Sequence, residues 1–116
     1  MTSIFHLVEP EIWDAATGLG EYRAESLYGE GFVHCSFRNQ IEASANKWFR
    51  LVAELVAVEL NPALIGAPVV VEDSYHSGTE FPHIYGPIPT AAAVEVHELS
   101  RDALNRWRMP AFAGSI

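Results

Sequence analysis

A chain of 116 residues, 49% hydrophobic and 19% charged, fits one folded domain with a single core rather than a disordered segment. Its formal charge of -8, from 7 basic and 15 acidic residues with Lys and Arg scattered along the chain, argues against a phosphate-backbone partner, so nucleic acid is not expected. The lone Cys35 excludes an internal disulfide, and with neither a basic leader nor a bilayer-length apolar run, the expectation is a cytoplasmic protein without a membrane segment.

In chain order, Ile4-Phe5-His6-Leu7-Val8 reads as a strand, apolar apart from His6, and Pro10 ends it. Pro10 to Ala16 predicts a short helix with Ile12, Trp13 and Ala16 inward, Glu11 complementing the dipole and Gly18 closing it. Gly18 to Gly31, glycine-punctuated and of mixed charge, reads as a loop with room for a short strand near Tyr22. Phe32 to Phe37 alternates with period two and predicts a strand. From about Asn39, with Asn39 and Glu42 as a capping-box-like start, Ile41, Ala45, Trp48, Phe49 and Val52 recur at helical spacing. Leu55 to Leu60 is a strand candidate, a continuing helix through Leu55 being the alternative, and Asn61-Pro62 breaks it. Val69 to Glu72 is β-branched and reads as strand, Asp73 to Glu80 as exposed loop.

Phe81 to Pro87 is aromatic, but Pro82, Pro87 and Pro89 forbid a helix and disfavour a central strand. Val94 to Leu99 alternates as a half-exposed strand, and Ser100 with Arg101 to Leu104 begins a last short helix. The order β-α-β-α-β-β-β-α speaks for an α+β fold, and no glycine-rich strand-to-helix turn supports a dinucleotide-binding parallel sheet.

The stretch from Phe32 to Phe37 carries the chemistry. Phe32, His34 and Ser36 share one face and Val33, Cys35 and Phe37 the other. The second set is core material, while the first places an imidazole beside a hydroxyl at a strand end. If Phe81 to Pro87 is extended, His83 and Tyr85 share a face and can form an opposite wall, the bland alternative being a proline-rich loop pinned by aromatic packing. His6 is either a pocket group or a structural histidine. Glu72 is either a buried acid with a raised pKa or the exposed end of its strand. Cys35 faces away from its neighbour His34, so burial is preferred to a nucleophile. A metal site from His6, His34, His83 and His76 is the chemical rival, without any short ligand spacing to support it.

His6, Trp13, Ser26-Leu27, Glu30-Gly31-Phe32-Val33-His34-Cys35-Ser36, Gln40, Asn46, Glu72 and Phe81-Pro82-His83-Ile84-Tyr85-Gly86-Pro87 together resemble a small bacterial family known as a domain of unknown function, family nine hundred fifty-two. The resemblance runs from about Ile4 to Leu99. It implies a compact ADP-ribosyltransferase-like split sheet clamping NAD, with the RNA 2'-phosphotransferase branch as nearest likeness. His6 matches that branch's first-strand histidine, and His34 and Ser36 match the last His and the Ser of its second string. Phe32 stands where the branch has its other His, and no arginine clearly replaces its phosphate-binding ones.

On this resemblance His34 and His6 would hold ribose hydroxyls and Ser36 the nicotinamide amide. Tyr85 would stack on the ring with Phe81 and His83 lining the pocket, and Glu72 or Glu80 would stabilise the oxocarbenium charge. The expected activity is an NAD-dependent ADP-ribosyl or phosphoryl transferase, or a hydrolase. The alternatives are a non-catalytic nucleotide or small-metabolite module and an oligomer contact built on the same face, with oligomeric state open.

Overall fold

A computed structural model describes residues 2–110. The chain forms β1 (Ile4–Val8), α1 (Pro10–Leu19), β2 (Glu21–Tyr22), α2 (Ser26–Gly29) and β3 (Val33–His34), then, after a short turn at Arg38–Gln40, α3 (Ile41–Trp48). The second half gives β4 (Val56–Leu60), β5 (Val69–Glu72), β6 (Phe81–Ile84), β7 (Ile88–Pro89), β8 (Ala93–Glu98), β9 (Ser100–Arg101) and β10 (Trp107–Arg108). This is a mixed α+β domain.

Two antiparallel three-stranded sheets organise it, one ordered β1-β4-β8 and the other β3-β6-β5. The strands β1 and β4 are apolar on both faces because both are covered. Ile4, Val8, Val56, Val58 and Leu60 face a core that also takes Val33, Cys35 and Ile84, and so lies between the sheets. Phe5, Leu7 and Ala57 face a second core with Ile41, Ala45, Leu55 and Trp107, beneath α3 and the β9–β10 hairpin. The sheets are joined where Phe5 and Ser36 exchange both backbone hydrogen bonds, each 2.8 Å.

Several sequence expectations are corrected. The helix α1 runs past Gly18 and ends at Gly20, which takes the left-handed φ of 79° and donates its N–H to Thr17. Trp13 and Ala16 are buried as expected, but Ile12 is exposed. The turn before α3 starts with Phe37 donating its N–H to Gln40 Oε1 at 2.9 Å, not with an Asn39–Glu42 box. On α3 itself, Ile41 and Ala45 are buried while Trp48 points to solvent.

Pro82 does lie in a central strand. Its carbonyl accepts from Cys35 N–H at 3.0 Å, but proline has no N–H to return, so the β3 ladder stops there. The predicted six-residue strand is therefore cut to Val33–His34, and Ser36 pairs with β1 instead. The final helix from Ser100 is replaced by the β9–β10 hairpin. Asp102 accepts from the backbone N–H of Leu104 and Arg106, an arrangement that competes with helix formation, and Asn105 adopts φ 62°.

Candidate functional site

The inter-sheet core takes one face of the β3-β6-β5 sheet and leaves the other partly open, with His34 half-buried and Phe32 and His83 beneath it at 6% and 2% exposure. Val33 and Ile84 pair on the core side, and their neighbours His34 and His83 pair on the open side. Their rings meet edge to face with centroids 5.5 Å apart. Phe32 stacks on His83 at 4.0 Å and 11°, and meets His34 edge-on at 4.9 Å.

Each imidazole is tied to a carboxylate that also holds a tyrosine. His34 Nε2 lies 2.8 Å from Glu30 Oε1, and Tyr75 OH donates to the other oxygen of Glu30. His83 Nδ1 lies 2.8 Å from Glu72 Oε2, which also accepts from Tyr85 OH, and Ser74 Oγ stands 3.3 Å from the same nitrogen. An ionised carboxylate only accepts, so the facing nitrogens are assigned as N–H donors. In the neutral ring this leaves Nδ1 of His34 and Nε2 of His83 with lone pairs.

The electrostatics follow from those bonds. Hydrogen bonds from Tyr85 and His83 hold the Glu72 carboxyl below the usual glutamate range, and those from Tyr75 and His34 do the same for Glu30. Of the two readings left open for Glu72, the raised pKa is excluded. Desolvation, reinforced by Glu30, pushes the Tyr75 phenol up to about 12, and the bond to Glu72 raises Tyr85. Both hydroxyls stay protonated donors at neutral pH.

Local backbone devices put these groups together. Gly31, at φ 88°, turns the chain from α2 into β3, so that Glu30 reaches His34 four residues on. Asp73 gathers the N–H groups of Ser77 and Gly78, folding the 73–80 segment into a compact loop that carries Tyr75 across to Glu30. The segment is exposed as expected, but it supplies a site residue.

The structure thus unites His34, His83, Tyr85 and Glu72, and separates other expected members. His6 is 7% exposed, with Nδ1 donating to the His34 carbonyl at 2.7 Å and Nε2 accepting from Tyr22 OH at 2.9 Å. Burial lowers its pKa to about 4. With both nitrogens engaged, it supports the backbone of His34 and does not reach out to a ribose.

Ser36 is buried and bonds Ser44 Oγ at 3.3 Å, facing α3 because its strand has already crossed to β1. Phe81 pairs with Glu72 and shares the face of His83, half-buried. Glu80 meets Gln40, whose Nε2 donates to its carbonyl at 2.8 Å. Cys35 is buried in the inter-sheet core, which pushes its thiol pKa up and leaves it inert. Among the described residues no group of three or more His, Cys, Asp or Glu side chains is arranged to hold a metal ion, so the four-histidine rival gains no support.

Sequence reasoning missed Glu30, Tyr75 and the role of Phe32. Glu30 had a usable signal in the Glu-Gly-Phe-Val-His spacing. Tyr75 had none, because a tyrosine in a polar loop gives no sign of which strand it will cross.

Comparison with known proteins places this arrangement. Protein CC0527 of Caulobacter crescentus, in a crystal structure, is 30% identical with a TM-score of 0.81, covering 92% of this chain and 94% of that one. A solution NMR structure of CC0527 matches at 26% identity and a TM-score of 0.72, covering 100% and 97%. No curated protein matches the chain. Among the described residues no helix is long and apolar enough to cross a membrane. Residues 7–96, which hold both tyrosine–carboxylate–histidine groups, match the family described as Protein of unknown function (DUF952), and the chain belongs to that family.

Proposed function

We propose that the partly open face of the β3-β6-β5 sheet binds a small, flat molecule that is neutral or cationic, that His34 is its hydrogen-bonding and proton-transfer group, and that the buried His83 holds Glu72 and Phe32 in place behind it. One observation carries this reading. Two imidazoles, each oriented by a carboxylate, flank the buried ring of Phe32, and one of them, His34, stays half-exposed on the face that the core leaves partly open. A carboxylate behind an imidazole fixes its tautomer and ring orientation. Tyr75 and Tyr85, both exposed, supply the flat surface, and Glu30 and Glu72 supply negative potential behind it.

Within that class the first candidate is the nicotinamide riboside end of oxidised NAD, whose ring is cationic. The family resemblance suggests it, and the pairing of two three-stranded sheets agrees with an ADP-ribosyltransferase-like split. Two carboxylates beside the histidines oppose a diphosphate at the same place, so the diphosphate would lie off this face. A ribose hydroxyl would then donate to Nδ1 of His34.

Titration of 15N-labelled protein with NAD, nicotinamide riboside and reduced NAD tests this. Saturable shifts at residues 30–34 and 81–85 are expected with the two cationic forms, and weaker ones with the reduced form, whose ring is uncharged. No saturable change at millimolar ligand removes NAD from the class.

A non-catalytic binding module is favoured by a specific observation. Glu72 Oε2 already accepts from both Tyr85 and His83, which leaves it poorly placed to stabilise an oxocarbenium ion. Chromatography of the bound ligand separates the readings: released nicotinamide marks a hydrolase or transferase, and unchanged ligand marks a binding module.

A further inference from the structure

The basic residues, scattered in sequence, are gathered in space. Five of the seven, Lys47, Arg50, Arg101, Arg106 and Arg108, lie at the end of α3 or on the β9–β10 hairpin. Three of them, Arg50, Arg101 and Arg106, line one cavity of about 280 Å³ together with Leu51, Leu104, Asn46 and Asn105. The carboxylates bonded to this group are Asp102, shared by Arg106 and Arg108, and Glu42, which takes Arg108. In a chain of net charge -8 this is a local inversion of sign.

The cavity divides its residues between structure and vacancy. Arg101 is anchored: its Nη atoms donate to the carbonyls of Arg50, Val52 and Asn105, and its guanidinium lies 3.9 Å over the Trp107 ring. None of these bonds goes to a carboxylate, so Arg101 contributes a fixed positive charge. Asn46 is likewise consumed, bonding Trp107 and Glu42. Arg106 gives only its Nε to Asp102, which keeps its two terminal nitrogens available. Arg50 is exposed, and the side chains of Arg50 and Asn105 have no hydrogen bond among the described residues.

We propose that this cavity is a phosphate-binding site. Arg50, the terminal nitrogens of Arg106 and the Asn105 amide are its donors, and Arg101 is the charge beneath it. Arginine's planar fork matches tetrahedral oxyanions, and partial enclosure strengthens the pairing. The site is separate from the histidine face and does not depend on it.

The phosphate has two possible sources, a soluble phosphorylated molecule or a phospholipid headgroup. Leu51 at 96% and Leu104 at 71% exposure stand at the rim, where they would meet acyl chains. Two titrations distinguish the sources. Inorganic pyrophosphate, added to 15N-labelled protein at constant ionic strength, should give saturable shifts at residues 50, 51 and 101–106. R50Q and R106Q should each weaken it about tenfold. Sedimentation with phosphatidylglycerol vesicles, against phosphatidylcholine vesicles as control, tests the headgroup.

Pyrophosphate binding that R50Q weakens supports the site with a soluble ligand. Sedimentation with phosphatidylglycerol alone, lost in the same variant, supports it with a lipid phosphate. Three results overturn the proposal: shifts that chloride reproduces with no vesicle binding, equal sedimentation with phosphatidylcholine, or unchanged binding in an R50Q variant that keeps the native spectrum.

Discussion

The two three-stranded sheets are both antiparallel, yet they use histidine in opposite ways. In the β1-β4-β8 sheet the strands β1 and β4 are covered on both faces, and His6 is sealed in with each nitrogen bonded inside the protein. In the β3-β6-β5 sheet one face is partly open: His34 and His83 each give one nitrogen to a carboxylate, and while His83 is buried at 2% exposure, His34 stays half-exposed. A histidine between two packed layers must satisfy itself internally, because an unmet ring nitrogen there costs about as much as a lost hydrogen bond. At His34, on the partly open sheet, water removes that constraint, and the ring becomes available for chemistry.

The contrast can be broken most strongly at Phe5, which is 1% exposed in the covered sheet. Phe5→Ala should cost about 3–5 kcal/mol in urea unfolding, while Val70→Ala, on the open face beside His83, should cost below about 1 kcal/mol. Equal losses would mean that the two sheets carry similar loads.

The next largest effect is the pH dependence of His6. In the unfolded chain it protonates near 6.5, and in the folded protein near 4. Between those values the unfolded state binds the extra proton. Stability is therefore unaffected by this group above pH 6.5 and falls as pH drops toward 4, by on the order of 3 kcal/mol. Unfolding free energies at pH 7 and 4.5 should show that fall in the wild type and lose His6's share of it in His6→Asn; identical slopes would place the titration elsewhere.

A smaller effect is expected at the margin of the open sheet. A Cβ on Gly86 would stand 2.8 Å from the Cβ of Ala67, so Gly86→Ala should cost about 1–3 kcal/mol, and adding Ala67→Gly should restore most of it. Failure of the rescue would point to backbone conformation instead of contact. The mildest change is Tyr85→Phe, which removes one donor from Glu72. It should leave the fold intact and raise the Glu72 carboxyl pKa in an NMR titration, whereas an unmoved pKa would leave His83 as the group that holds it.

Much of this was legible from local pattern. Strands with strong period-two or β-branched runs, β1, β4, β5 and β8, stand where alternation puts them, and helix α3 follows its apolar spacing at Ile41 and Ala45. The pairing of His83 with Tyr85 on one face was also readable, since it needs only an extended backbone. What local pattern could not supply was the partner across a sheet or loop. Ser36 alternates with His34 in sequence, but the chain changes sheets between them. Trp48 has helical spacing and yet stays 68% exposed, its ring met by the Lys47 ammonium at 5.0 Å instead of by core. Ser100 to Leu104 has helical composition, but Asp102 is committed to the hairpin turn by four donors from Leu104, Arg106 and Arg108.

Pro82 sets where the chain passes from one sheet to the other. Because it returns no bond to Cys35, the segment after His34 is free to cross, and the Phe5–Ser36 exchange, with the His6–His34 bond beside it, ties the two layers together by hydrogen bonds. Rocking of one layer against the other would strain this joint. The Ser36 amide, buried and bonded to the Phe5 carbonyl, is accordingly the natural gauge of such rocking, through its hydrogen-exchange rate with the partly open face filled or empty.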